Sequence, residues 1–132
     1  MTLRELSQLY YLNREIERAK RELERLKWKS VSPRTQRMTG MPHGSGHENI
    51  MEMHIAAIAD LERIIRAKMK QCIYERNRLE RYIADIPDSL TRQIFALRFI
   101  NGMSWVQVAM HVGGSNTEDS VKKTCYRYLE KT

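Results

Sequence analysis

The sequence predicts an all-α protein in which a long N-terminal helical hairpin, similar to a coiled coil, precedes a C-terminal unit of short helices. Three observations predict this architecture. Apolar residues recur at spacings of three and four over two long stretches of the 132 residues, as in helices with one apolar face. Glycine and proline are scarce, at six and three residues, and most of them fall in one segment. Three short helical segments with glycine-containing turns then follow.

The first predicted helix covers residues 2–29. Its apolar residues follow the a and d spacing of a coiled-coil seam, and they are Leu9, Leu12, Ile16, Ala19, Leu23 and Leu26. Between them lie charges of both signs, such as Glu17 and Arg21, which are four residues apart and stabilise the exposed face. We therefore interpret the charge run as a solvated face rather than as a nucleic-acid arm.

Residues 30–48 contain two prolines and three glycines, and this composition predicts a loop. One interpretation is a mobile linker. The alternative is that Arg34 and Arg37 contact a partner or DNA phosphate.

A second long helix is predicted over residues 49–86. Asn49 and Glu52 fit a capping box at its start, and Pro87 ends it. One seam comprises Ile58, Leu61, Ile65, Cys72, Leu79, Tyr82 and Ile86, with Lys68 and Glu75 at two further seam positions. Other apolar residues widen this face, namely Met51, Met53, Ile55, Ile64, Met69 and Ile83.

An apolar face broader than one seam exceeds what a two-helix hairpin alone can bury. We therefore expect residues 1–86 to form a helical hairpin that also dimerises. Whether the hairpin closes within one chain or is swapped between two stays open at this point.

Residues 87–132 form the second predicted domain. A helix begins at Asp88 or Ser89, uses Leu90, Ile94, Phe95 and Leu97 as its apolar side, and stops at Asn101–Gly102. Ser104 caps a short helix over residues 105–112.

The last predicted helix follows a turn at Gly113–Gly114. Ser115 and Glu118 fit a capping box at its start, and it runs to about Lys131 with Val121, Cys125, Tyr128 and Leu129 inward. Three helices with a glycine turn between the last two predict a helix-turn-helix unit.

Residues 97–109, Leu-Arg-Phe-Ile-Asn-Gly-Met-Ser-Trp-Val-Gln-Val-Ala, resemble region four of sigma factors, and residues 121–129 resemble its recognition helix. The turn at 113–119 is longer than the usual sigma turn. With the hairpin and the loop at 39–46, the chain resembles phage and prophage regulators of Gram-positive bacteria, including late-gene regulators of the RinA and ArpU kind. This resemblance implies binding to double-stranded DNA and control of phage genes.

A recognition helix presents polar side chains to base edges while an apolar stripe anchors it. On this basis we expect base contacts from Asn116, Ser120, Lys123 and Thr124, and phosphate contacts from Lys122 and Arg127. Thr117 would meet phosphate at the helix N-terminus. Arg92 and Arg98 would contact the flanking backbone.

Composition narrows the function classes. Lys and Arg outnumber Asp and Glu by 23 to 16, a net charge of +7. The sequence contains no run of about 18 apolar residues, the length that a membrane-spanning helix needs. The N-terminus lacks the apolar core of a signal peptide. Cys72 and Cys125 have no CxxC spacing, so we expect free thiols in the cytoplasm of a bacterial host. No catalytic, cofactor or metal motif emerges, so we expect a protein that is not an enzyme and needs no cofactor or metal.

Three functions fit these observations. The first is a homodimeric, sequence-specific transcription regulator of phage or prophage genes. The second is a small terminase subunit that recognises packaging DNA and assembles into rings. The third is a sigma-like module that binds RNA polymerase, which would suit the modest charge of residues 88–132, six Lys or Arg against four Asp or Glu.

Overall fold

The computed structural model describes residues 1–31 and 46–132, with the side chains of residues 1–29 and 49–132. Every regular element in these residues is a helix, so the predicted all-α class is confirmed. Most of the predicted loop, including Arg34 and Arg37, lies outside the described residues. No described helix combines the length and apolarity that a membrane span needs. The helices are α1 (Leu3–Leu6), α2 (Gln8–Val31), α3 (Gly46–Ala84), α4 (Ser89–Phe95), α5 (Trp105–Val112) and α6 (Glu118–Lys131).

The chain divides into two compact units. Unit 1 comprises Met1–Arg14 and Gln71–Thr132, and unit 2 comprises Glu15–Lys70. The division differs from the boundary at residue 86 that the sequence suggests. The reason is that Ile83 and Ile86, which precede Pro87, belong to the same buried cluster as Phe95, which follows it.

In unit 1 the N-terminal residues run antiparallel to the end of α3. Arg78 donates to Glu5 at 3.1 Å, and the Cys72 thiol donates to the side-chain carbonyl of Asn13 at 3.6 Å. The single helix predicted over residues 2–29 is interrupted at Ser7. The Ser7 hydroxyl donates to the Leu3 carbonyl at 2.8 Å, a local bond that competes with regular helix geometry.

The connection from α3 to α5 uses three different backbone devices. Pro87 follows a tight turn at the end of α3, in which the amide of Ile86, just beyond the helix, donates to the Ile83 carbonyl. Asp88 then caps α4 by accepting from the Thr91 amide at 3.0 Å. After α4 the helix widens into one π turn, Ala96–Ile100, and stops at Asn101 and Gly102, as the sequence predicts.

The core of unit 1 is built around Phe95, which is fully buried. Its ring lies 5.4 Å from the Phe99 ring and 5.5 Å from the Tyr128 ring, both centroid to centroid. Aromatic pairs at this spacing add to the stabilisation from burial alone. The other fully buried apolar residues around it are Leu6, Leu79, Ile86, Ile94, Val108, Val121 and Cys125.

Unit 2 consists of parts of α2 and α3 that run in opposite directions. Ile16 of α2 and Ile65 of α3 are its buried apolar residues in the described part. Lys68 pairs with Glu15, and Lys27 pairs with Glu62 at 3.8 Å, so polar contacts also link the two helices.

The start of α3 differs from the prediction. The helix begins at Gly46, so Asn49 lies inside it and the predicted capping box of Asn49 with Glu52 is wrong. A cap residue needs extended backbone, which a residue three positions inside a helix does not have.

The apolar residues expected to widen the α3 face have different surroundings. Ile83 is buried in unit 1, whereas Met51, Met53, Ile55, Ile64 and Met69 are exposed. One neighbouring helix covers only one side of a helix, and in unit 2 that neighbour is α2.

Candidate nucleic-acid interface

Helix α6 is held by one fully buried face. Val121 and Cys125 have no exposed surface, and the Tyr128 ring packs against Phe95 of α4. Burial raises the pKa of the Cys125 thiol to about 12, so this cysteine stays protonated and serves as an apolar core residue. The orientation of α6 is therefore fixed by α4 and α5, and its other side is available to a partner.

The turn between α5 and α6 depends on glycine. Gly113 has φ 72 and ψ -162, a conformation that is essentially restricted to glycine, and Gly114 also has a positive φ of 65. The Asn116 side-chain amide donates to the Gly113 carbonyl at 3.0 Å and closes the turn. The side-chain amide of Asn116, which we expected to contact a base, therefore uses one of its donors to close the turn.

The cap of α6 differs from the predicted one. Thr117, with extended backbone, is the cap residue, and its hydroxyl accepts from the Ser120 amide at 3.2 Å. The Ser120 hydroxyl in turn accepts from the Thr117 amide at 2.8 Å. The predicted box of Ser115 with Glu118 is therefore wrong, because the turn closed by Asn116 delays the helix until Glu118.

The entry to α5 is fixed by Arg98 and Ser104. The Arg98 guanidinium lies 4.6 Å from the centroid of the Trp105 ring and donates to the Met103 carbonyl at 2.9 Å. Ser104 caps α5, and Gln107 completes the capping box, which confirms the predicted cap. Trp105 also meets Tyr126 of α6, with the ring centroids 6.1 Å apart, so this contact joins α5 to α6.

The nine predicted DNA-contacting residues fall into two groups. Seven have side chains with contacts inside the chain. Arg92 donates to the carbonyls of Ile86 and Pro87 at 2.7 and 3.0 Å, and the Thr124 hydroxyl donates to the Ser120 carbonyl at 2.9 Å. Lys122 pairs with Glu118 at 3.0 Å, a hydrogen bond that raises the Lys122 pKa. The others of this group are Arg98, Asn116, Thr117 and Ser120.

Lys123 and Arg127 form the second group. Both are exposed, and neither makes a side-chain hydrogen bond or ion pair with the described part of the chain. They are four residues apart on α6 and therefore share one face of the helix. Lys131, also exposed, extends this spacing by another four residues. We call Lys123, Arg127 and Lys131 the basic line of α6.

Sequence reasoning included Lys123 and Arg127 but not Lys131. The repeated spacing of four would have revealed it. The predicted set of DNA-contacting residues also omits Tyr126. This residue is exposed, and its contact with Trp105 places it beside the first turn of α5. Chemically, the basic line offers mobile cationic groups on a rigid helix, an arrangement suited to phosphate oxygens and base-edge acceptors.

Comparisons with known proteins leave the family open. No protein-family model, curated protein or solved structure matches the chain.

Proposed function

We propose that the protein is a sequence-specific DNA-binding transcription regulator of phage or prophage genes that acts as a homodimer. In this proposal residues 1–86 form a helical hairpin that carries the dimer contact. Helices α5 and α6 form a helix-turn-helix, and α6 is the recognition helix that enters the major groove.

The observation that carries the proposal is the two-sided character of α6. Val121 and Cys125 are fully buried on one side, while the basic line lies on the exposed surface. A recognition helix needs both properties, because its base contacts are precise only if the helix itself cannot shift.

The charge balance supports two copies on one duplex. Residues 88–132 hold six Lys or Arg and four Asp or Glu, a net charge of +2. Of the six basic side chains, Arg92, Arg98 and Lys122 have partners within the chain. One copy therefore offers few phosphate contacts and would bind weakly at physiological salt, whereas a dimer doubles their number.

The link to phage genes comes from the resemblance of residues 97–109 to sigma region four within a chain that begins with two long helices. In this segment Asn101–Gly102 ends the helix and Ser104 caps the next one. The stretch that resembles sigma region four therefore contains one helix end and one helix start.

The test is a selection from the DNA of the source organism. Purified protein is incubated with genomic fragments at about 150 mM salt, which suppresses weak phosphate binding, and the retained fragments are sequenced. Enrichment of one site beside a promoter is the expected result. Enrichment at a packaging start would instead indicate a terminase subunit. No enrichment would overturn DNA recognition and favour a protein partner such as RNA polymerase.

A further inference from the structure

The part of α3 within unit 2 has a second face beside the one that packs against α2. The six residues of this face, from Met51 to Met69, follow one another at spacings of four, four, three, four and three residues, which are typical of a helix-packing seam. Met51, Ile55 and Met69 are exposed apolar residues at its two ends. We call this face the outer stripe, and it comprises Met51, Ile55, Ala59, Glu62, Arg66 and Met69, of which Glu62 lies at the border with α2 because it pairs with Lys27.

Acidic and basic residues are unevenly distributed along this part of α3. Residues 49–62 contain three acidic residues and no Lys or Arg, whereas residues 63–70 contain four basic residues and no Asp or Glu. Glu52 at one end, and Arg66 and Lys70 at the other, are exposed. Asp60 and Glu62 lie near the middle of this stretch and pair with Arg63 and Lys27. The charges at its two ends are therefore the acidic Glu52 and the basic Arg66 and Lys70.

We propose that the outer stripe is the dimer interface and that a second copy of this chain packs against it with the two α3 helices antiparallel. The proposal rests on the proposed homodimer and specifies where and how its copies meet. A twofold axis across the middle of the stripe brings Met51 of one copy near Met69 of the other.

Charge complementarity selects this orientation. In the antiparallel pair, Glu52 of each copy lies beside Arg66 and Lys70 of the other, so opposite charges flank the apolar contacts at both ends. A parallel pair would align acidic with acidic and basic with basic ends, which is unfavourable along a helical seam.

Two matched variants test the position of the interface. Ile55 is 61% exposed and lies on the outer stripe, while Met53 is 69% exposed and lies on another side of the same helix. Ile55→Glu should raise the dimer dissociation constant at least about a hundredfold, because in a twofold-symmetric interface the substitution removes one isoleucine from each of the two copies. Met53→Glu should leave it within about threefold.

The masses in solution are measured by sedimentation equilibrium, with circular dichroism to confirm that each variant is folded. A folded, monomeric Ile55→Glu and a dimeric Met53→Glu support the proposal. A dimeric Ile55→Glu overturns it, as does a Met53→Glu that dissociates equally.

Engineered disulfides test the orientation. A Cys72→Ser background retains a hydroxyl donor for Asn13, and the protonated, buried Cys125 does not react. Met51→Cys and Met69→Cys chains, distinguished by mass tags, are mixed and oxidised with glutathione disulfide. We expect the mixed cross-link and no cross-link between two Met51→Cys chains, whose sites lie about 27 Å apart in the antiparallel pair. A Met51→Cys homodimer as the main product would overturn the antiparallel arrangement.

Failure of this proposal is distinguishable from failure of the proposed function. If the wild-type chain is a monomer, the dimer interface is overturned, while enrichment of a genomic site by the same sample would still demonstrate DNA recognition. If the dimer forms as proposed but no fragment is enriched, the interface stands and DNA recognition fails.

Discussion

Units 1 and 2 contrast in how completely they bury their apolar residues. In unit 1 several helices surround Phe95, and residues such as Val108 and Val121 have no exposed surface. In unit 2 two helices pack side by side, and Trp28 of α2 and Ile55 of α3 remain exposed. A cluster of short helices can close a core, whereas two long helices cannot. Unit 1 therefore holds α6, the proposed recognition helix, against a closed core, while unit 2 keeps the exposed apolar residues of the proposed dimer interface.

The largest effect on this contrast is expected from Phe95→Ala in unit 1. Removing a fully buried ring that contacts Phe99 and Tyr128 should lower the free energy of unfolding by about 3–5 kcal/mol. The matched aromatic change Trp28→Ala, at a residue that is 70% exposed in unit 2, should change it by less than about 0.5 kcal/mol. Urea unfolding followed by circular dichroism measures both. Equal losses for the two variants would remove the distinction between the units.

A smaller effect is expected at the cap of α6. Thr117→Ala removes the hydroxyl that accepts from the Ser120 amide and should cost about 1 kcal/mol of unfolding free energy. Ser115→Ala, two residues earlier and exposed, should cost less than about 0.5 kcal/mol. The same urea titration decides between them, and a larger loss for Ser115→Ala would restore the cap that the sequence suggests.

This cap shows where sequence reasoning reaches its limit. The pattern at Ser115, with Glu118 three residues on, fits a capping box, whereas Thr117 is followed at that spacing by Ser120 and not by Glu or Gln. The choice depends on the Asn116 amide bonding to Gly113, a contact that requires the geometry of the glycine turn. In contrast, the stop at Gly102 and the cap at Ser104 each have one obvious signal and are predicted correctly.

The predicted DNA-contacting residues show the same limit. The spacing of Lys123 and Arg127 on one helix is readable from the sequence. The hydrogen bonds of Arg92 to the carbonyls of Ile86 and Pro87 cannot be read from the sequence, because they depend on how the chain turns after α3. Likewise, the apolar pattern of α3 does not reveal which apolar residues α2 covers, such as Ile65, and which stay exposed, such as Ile55.

The smallest effect is expected from the ion pairs of unit 2. Lys68→Ala removes the pair with Glu15 and should lower the unfolding free energy by about 0.2–1 kcal/mol at low salt. The loss should shrink at high salt, because mobile ions screen exposed pairs. Lys20→Ala, an exposed lysine of α2 in the same unit, serves as the control. A loss for Lys68→Ala that is identical at low and high salt would show that the pair contributes through packing and not through charge.

Binding of the selected DNA site over a series of salt concentrations tests the role of the α6 basic line most directly. Each phosphate contact adds about one to the slope of log affinity against log salt concentration. Arg127→Ala should weaken binding to all sequences and reduce that slope by about one per copy. Arg76→Ala removes the same charge from an exposed position of α3 and should leave the slope unchanged. An Arg127→Ala slope equal to that of the wild type would contradict DNA contact through this face of α6.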